Sequence, residues 1–344
     1  VQPGTLEALN PLPDVDAERP ANRLDLARWL VSRENPLTPR VTVNHIWQRL
    51  FGRGLVKTSN DFGTRGEEPT HPLLLDWLAD EFMRVGWSRK TMIKTIVMSH
   101  TYRQSSRFRP ELAEVDPQNR LLARQNRTRV EAEIVRDLHL AVSGLLDRRV
   151  GGPSVFPPLP PGIAELSYAN NFKWGNSNWN TRPDRPGGVA PSEDVYRRGM
   201  YTFFKRTAPH PNLTTFDCPD ANLTAVERSA SNTPLQALIT LNNEVFVDAA
   251  RGMARRVLTE GEGDDGDRIA WMLRLVAVRT PSAGEVAEFG GLLASAREYY
   301  AAHPEAAVKF AGPELPEGVD AAEAAAWTAT ARIVMNLDEF IVRD

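Results

Sequence analysis

The chain has 344 residues, of which 42% are hydrophobic and 25% charged, and its net charge is −3. That length makes one large domain or two ordinary ones, and the near-neutral charge gives no global attraction to nucleic acid or to an anionic membrane. A single cysteine, Cys218, excludes an internal disulfide, a paired-cysteine zinc site and a CxxCH haem attachment within these residues.

Residues 1–21 are proline-rich and aperiodic, as expected of a linker or extended arm. The start at Val1 rather than Met is expected of a trimmed or processed product. "NRLDLARWLVSREN" predicts a helix capped by Asn22, with Asp25 three residues on and Leu24, Ala27, Trp29, Leu30 and Val31 on its apolar face. "PRVTVNHIWQRLFG" predicts a second, with a Val43, Ile46, Trp47, Leu50 stripe ended by Gly52. "THPLLLDWLADEFMRVG" predicts a third behind Thr70, with Leu74, Trp77, Leu78 and Phe82 inward. "SRKTMIKTIVMSH" predicts a fourth behind Ser88, burying Met92, Ile93, Ile96 and Val97. "VEAEIVRDLHLAVSGLL" follows with a stripe through Ile134, Leu138, Ala141, Val142 and Leu145.

The pattern breaks over 148–195, where eight prolines and six glycines fall within residues 151–191, and this predicts a long irregular excursion. "RRGMYTFFKRT" is the best strand candidate. "NTPLQALITLNNEVFVDAARGMARRVL" reads as helix, capped by Asn232 or Thr233 and bent or divided at Asn242 and Asn243. "EGEGDDGD" reads as a turn, Ser282 and Glu285 have capping-box spacing, and a last helix is expected around 319–340. No apolar run approaches the ~20 residues that span a bilayer. The expected fold is therefore mainly α, a multi-helix domain with a long Pro/Gly-rich loop and one short strand or hairpin element. Its expected organisation is an arm over 1–21, a main helical domain over 22–258 including the insertion 148–195, and a C-terminal helical lobe over 259–344.

Three stretches carry a family likeness: residues 22–82, beginning "NRLDLARWLVSREN", with the following "GWSRKTMIKTIVMSHTYRQSS" (86–106); "RVEAEIVRDLHLAVSGLLD" with "GGPSV"; and "YRRGMYTFFKRTAPHPNLTTFDCPD" through "SNTPLQALITLNNEVFVDAA". Together they resemble the planctomycete PSD domain, a family of unknown function, strongly over about 22–256 and more loosely beyond. The resemblance implies the C-terminal part of a large exported protein, hence an exported or periplasmic location. It implies upstream domains of the same polypeptide as partners, often including a c-type cytochrome, so that haem c would lie upstream and no cofactor in this chain. It supplies no catalytic residues.

"HPNLTTFDCPD" crowds His210, Asp217, Cys218 and Asp220 into eleven residues. His210 and Asp217 are candidates for acid/base catalysis, and Cys218 with His210 for a nucleophile pair, which needs an exposed thiol of lowered pKa. Zinc would draw on the nitrogen and sulfur donors, and calcium on Asp217, Asp220 and Asn222, but the spacing matches no standard metal motif and no metal site is expected. The simpler expectation is an ordered turn in which Asp217 caps backbone N–H groups and Pro219 fixes the chain. If 197–206 is a strand, Arg198 and Arg206 share a face and Arg206 leaves it beside His210. Arg206, His210 and Asp217, with Arg198 and Asp220, would then suit an anionic or sugar-like ligand, unless the arginines merely pair with neighbouring carboxylates.

Trp174 and Trp179 in "NNFKWGNSNWN" suit a sugar platform, or equally the anchoring of a loop on the core. Trp29, Trp47, Trp77 and Trp271 are expected in the core. The arginines of "NRLLARQNRTRVEAEIVRD" are interleaved with acids at helical spacing, as in Arg129 and Glu133, so an internal salt-bridge network is expected there rather than a nucleic-acid surface. His45, His71, His100 and His139 are expected as caps or core histidines. The expected function is a ligand-handling module for a carbohydrate or related polyhydroxylated or anionic molecule. A hydrolase or lyase using His210 and Asp217, and a scaffold that docks upstream domains, are the alternatives.

Overall fold

The computed structural model describes residues 4–6, 9–12, 20–159, 195–206 and 209–343. The chain divides into two compact units, residues 1–128 and 129–343. Helices on both sides of position 258 fall in the second of these units. Trp174 and Trp179 lie outside the described residues.

The first unit holds α1 (Arg23–Leu30), α2 (Leu37–Phe51), α3 (Pro72–Arg84) and α4 (Arg89–Val97). Asn22 and Asp25 form a capping box at the start of α1, Ser88 caps α4, and Gly52 ends α2 in the left-handed region. Val43, Trp47 and Phe51 of α2 pack with Leu75, Leu78, Ala79 and Phe82 of α3 and with Met92 and Ile96 of α4. The apolar face of α3 is therefore 75/78/79/82, one position round from the expected stripe, and Trp77 is 53% exposed. In the run "LLLDWL" two adjacent stripes are equally apolar, and packing rather than period selects between them.

Fully buried Asn44 on α2 replaces a backbone partner. Its Oδ1 accepts from the Val56 N–H at 2.9 Å and its Nδ2 donates to the Val56 carbonyl at 3.0 Å. Gly54 permits this approach, since a Cβ there would lie 2.7 Å from Asn44 Nδ2 and 2.5 Å from the Val56 oxygen.

The second unit contains α5 (Ala132–Val142), α6 (Pro211–Thr215), α7 (Pro234–Asn242), α8 (Glu244–Glu260), α9 (Asp265–Ala277), α10 (Ala283–Ala302), α11 (Pro304–Ala311) and α12 (Ala321–Val334). Asn243 divides α7 from α8 and caps the latter, and Ser282 with Glu285 forms the expected capping box of α10. The core centres on α8 and α12: Phe246, Ala249, Met253 and Val257 meet Trp327, Ala331 and Val334, with Ile269 and Met272 of α9 alongside. Alanines along α12 admit its neighbours closely, and its one aromatic residue, Trp327, is fully buried with its indole N–H on Glu323 at 2.8 Å. Arg297 of α10 bridges Asp265 and Glu323, tying three helices at one end.

The fold is mainly α, as expected. Among the described residues the sheet is two strands of two residues each, β1 (Thr128–Arg129) and β2 (Val342–Arg343). The strand expected over 197–206 is instead a 3-10 turn at Gly199–Tyr201, flanked by parallel bridges Asp147↔Arg197 and Val155↔Thr202. Gly199 explains the turn, since a Cβ there would stand 2.6 Å from the Glu133 carbonyl oxygen, so the chain presses flat against the first turn of α5.

Candidate functional site

Helix α5 departs most from its expected pattern. Its buried residues are Ala132, Val135, Arg136, Asp137, His139 and Leu140, while Ile134 and Leu138 are only half-buried. His139 is a core histidine. Its ring packs edge-on against Phe246 and Phe340, and Nδ1 donates to the Val135 carbonyl at 2.7 Å. Burial lowers its pKa to about 4, so the ring is neutral at physiological pH.

Arg136 is 6% exposed. Its Nη2 donates to the Val195 carbonyl and its Nε to the Arg197 carbonyl at 3.4 Å. No carboxylate pairs with it, and Nη1 has no hydrogen-bond partner, among the described residues. Burial pulls the guanidinium pKa down to about 10, partly opposed by neighbouring Asp137, and leaves it a cation at neutral pH. Asp137 itself is occupied: it takes Arg198 Nε at 3.0 Å and the Gly199 N–H at 2.6 Å.

Neighbouring Arg197, also buried, lies over the Tyr201 ring at 4.1 Å and donates to the carbonyls of Arg149 and Gly151. The Tyr201 hydroxyl in turn accepts from the Gly151 N–H at 2.6 Å. Together with the bridges to Asp147 and Val155, these bonds hold 147–155 beside 197–203 and fix the carbonyls that Arg136 grips.

A small recess with room for about one water molecule is bounded by Arg136, Thr202, His210 and Asn212, with Leu213, Phe216 and Phe246 among its apolar walls. His210 caps α6. Its Nδ1 accepts from the Asn212 N–H at 3.3 Å, so the proton sits on Nε2, which faces the Pro158 carbonyl at 3.3 Å. Burial, and then the Arg136 charge, lower its pKa to about 4. Asn212 is 8% exposed, and its Nδ2 donates to Asn243 Oδ1 at 3.0 Å. That oxygen also accepts from the Val245 N–H, which marks it as the acceptor and fixes the Asn212 amide the same way round. Asn212 Oδ1 is left buried with no partner.

The residues singled out from sequence are dispersed over separate bonds. Asp217, at φ 60°, accepts from the Ser231 N–H at 2.8 Å, the Ser231 hydroxyl and Gln236 Nε2, and so holds the 217–231 loop to the start of α7. Cys218 packs against the core, and burial with nearby Glu133 raises its thiol pKa, the reverse of what a nucleophile needs. Asp220 is exposed and accepts from the Asn222 N–H at 2.9 Å in a local turn. Arg198 pairs with Asp137, and Arg206 is exposed in a turn. Glu133 pairs with Arg228 at 2.7 Å and Arg129 with Asp338 at 3.1 Å, so the ion pairs reach across the fold rather than along α5. Among the described residues no cluster of three or more His, Cys, Asp or Glu side chains is arranged to hold a metal ion, and no described helix is long and apolar enough to cross a membrane.

Arg136 and Asn212 were not singled out as ligand residues from the sequence. A signal for Arg136 was present: it stands at i+4 from Ala132 and i−4 from Leu140, on the same helix line as two buried apolar residues. Asn212 carried none, because its role depends on Asn243, thirty-one residues away.

Fold and site together define a helical protein with a small recess bordered by one unpaired arginine and one unpartnered amide oxygen. The chain belongs to the PSD1 family, described as a protein of unknown function (DUF1553), whose family model matches residues 22–293. No curated protein and no solved structure matches it.

Proposed function

We propose that the chain is a ligand-binding module whose second unit seats the anionic group of a polyhydroxylated molecule, a carbohydrate derivative foremost. The observation that carries this reading is Arg136, a buried cation bonded to two carbonyls and to no carboxylate among the described residues. Burying an ion unpaired costs several kcal/mol, and a ligand anion removes that cost. Guanidinium also offers a planar fork matched to carboxylate, sulfate and phosphate. Framework roles for His210 and Asp217 fit this reading better than acid/base chemistry, since both are committed to bonds that hold α6 and α7.

The wider setting is proposed with it. The module belongs to an exported protein, docks on upstream domains of its own polypeptide, and leaves any electron transfer to haem c carried there. With one cysteine and no CxxCH, the residues present do not fit covalent haem, and no step here runs through it.

The test is calorimetry and thermal melting of the chain with sulfate, acetate, glucuronate and neutral glucose. Anions are expected to bind and to raise the melting temperature as ligand linkage requires, and Arg136→Met to abolish the effect. Side-chain NMR of the wild-type arginines gives the same answer should the variant not fold. Equal binding of glucose and glucuronate, or unmoved Arg136 signals, would overturn the proposal.

A further inference from the structure

We infer that α4 and the turn after it hold the first unit against an anionic lipid surface, an interaction independent of Arg136 and its recess. The charge of that unit is concentrated in one stretch. Residues 22–81 carry eight basic and eight acidic side chains, and residues 111–128 three of each. Residues 82–110 carry seven arginines and lysines and no acid. Two of the seven are paired, Arg84 with Glu81 and Arg109 with Glu111. The other five, Arg89, Lys90, Lys94, Arg103 and Arg107, are exposed and form no ion pair among the described residues.

The helix gains nothing from these cations. Arg89 and Lys90 stand in the first turn of α4, where the backbone dipole favours acids, and no acid is there. Lys90 and Lys94, one turn apart, repel each other. Lys90, Lys94 and Met98 follow at i, i+4 and i+8 along the side opposite Met92 and Ile96, which are buried in the core. Large apolar side chains are exposed among the charges. Ile93 stands beside Lys94, Met98 is 61% exposed, and Phe108, between Arg107 and Arg109, is 62% exposed. A soluble polyanion would take the cations and gain nothing from these three. A lipid surface takes both: head-group phosphates accept from the lysines and arginines, and the apolar side chains enter the boundary with the acyl chains. With nine residues α4 is too short to cross a bilayer, so it lies along the surface.

Co-sedimentation of the full chain with vesicles of phosphatidylglycerol or of phosphatidylcholine, beside titration with dextran sulfate, tests this. Binding is expected to phosphatidylglycerol and not to phosphatidylcholine, and is expected to weaken steeply with added salt, a readout that needs no variant. Lys90→Gln combined with Lys94→Gln is expected to weaken vesicle binding about 25-fold, at about fivefold for each cation near the surface. Ile93→Ser combined with Met98→Ser is expected to weaken it about tenfold through lost apolar burial, and to leave any dextran sulfate binding unchanged. Failure to bind phosphatidylglycerol vesicles at low salt overturns the inference. Vesicle binding that ignores the Ile93 and Met98 changes, or tighter binding of dextran sulfate than of vesicles, makes the face a seat for soluble polyanions and overturns it too.

Discussion

Two buried asparagines, one in each unit, set the terms for reading this protein. Asn44 in the first unit spends both ends of its amide on the backbone of Val56. Asn212 in the second spends one end on Asn243 and leaves the other empty. Both are almost fully enclosed, so burial alone does not separate them. What separates them is whether the hydrogen-bond account closes. A closed account marks a side chain that holds the fold, and an open one calls for an explanation of its own.

The same contrast runs through the charged groups. Arg84 of the first unit meets Glu81 at the surface, where an ion pair contributes little. Arg136 of the second is inside with only carbonyls for company. Buried titratable groups therefore give the second unit a pH liability, and this is the largest effect expected. His139 and His210 are held neutral down to about pH 4 in the folded chain, whereas an unfolded histidine takes its proton near 6.5. Stability should be full above about pH 6.5 and fall as pH drops toward 4, by about 3 kcal/mol for each imidazole. Denaturant titrations at pH 7.5, 6.0 and 4.5 measure this. His139→Leu should remove about half of the slope, and an unchanged slope would show that His139 is not the buried group the packing indicates.

The second prediction tests the asparagine comparison directly. Asn44→Ala strands the N–H and the carbonyl of Val56 and should cost about 3 kcal/mol, while Asn212→Leu removes an orphaned acceptor together with one hydrogen bond to Asn243 and should cost about 1 kcal/mol. Urea midpoints at unchanged slope give both numbers. Equal costs would remove the basis for treating Asn212 as anything but framework.

How much of this was legible in the sequence depends on distance along the chain. Helix ends were readable because their causes are local: Asn22 with Asp25, Ser282 with Glu285, and Asn243 at the break between α7 and α8 each cap a helix through residues two or three positions away. The family likeness was readable for the same reason, as long unbroken motifs. Helix faces were harder, because "LLLDWL" offers two apolar stripes and α5 turns polar residues inward toward carbonyls some sixty positions later. The recess was not readable at all. Its polar members come from residues 136, 202, 210 and 212, and the orphaned oxygen exists only because residues 243 and 245 orient the amide. The residues that did attract notice, Asp217 and Cys218, are taken up by the fold: Asp217 holds Ser231 and Gln236, and Cys218 packs on the core.

The smallest expected effect concerns the face of α3. Trp77 sits on a helix whose partner face runs through Leu75, Leu78, Ala79 and Phe82, and it is more than half exposed. Trp47, on α2, is buried and stacked on Phe51 with ring centroids 4.2 Å apart. If the face is as described, Trp77→Ser should change stability by less than about 0.5 kcal/mol, as for a surface position. Trp47→Ala should cost about 3–5 kcal/mol, because it empties a packed site. Tryptophan fluorescence offers a second check on the same pair: acrylamide should quench the Trp77 contribution, identified by difference from Trp77→Ser, far more readily than that of Trp47. A costly Trp77→Ser would mean that the stripe read from sequence, and not its neighbour, is the one the helix buries.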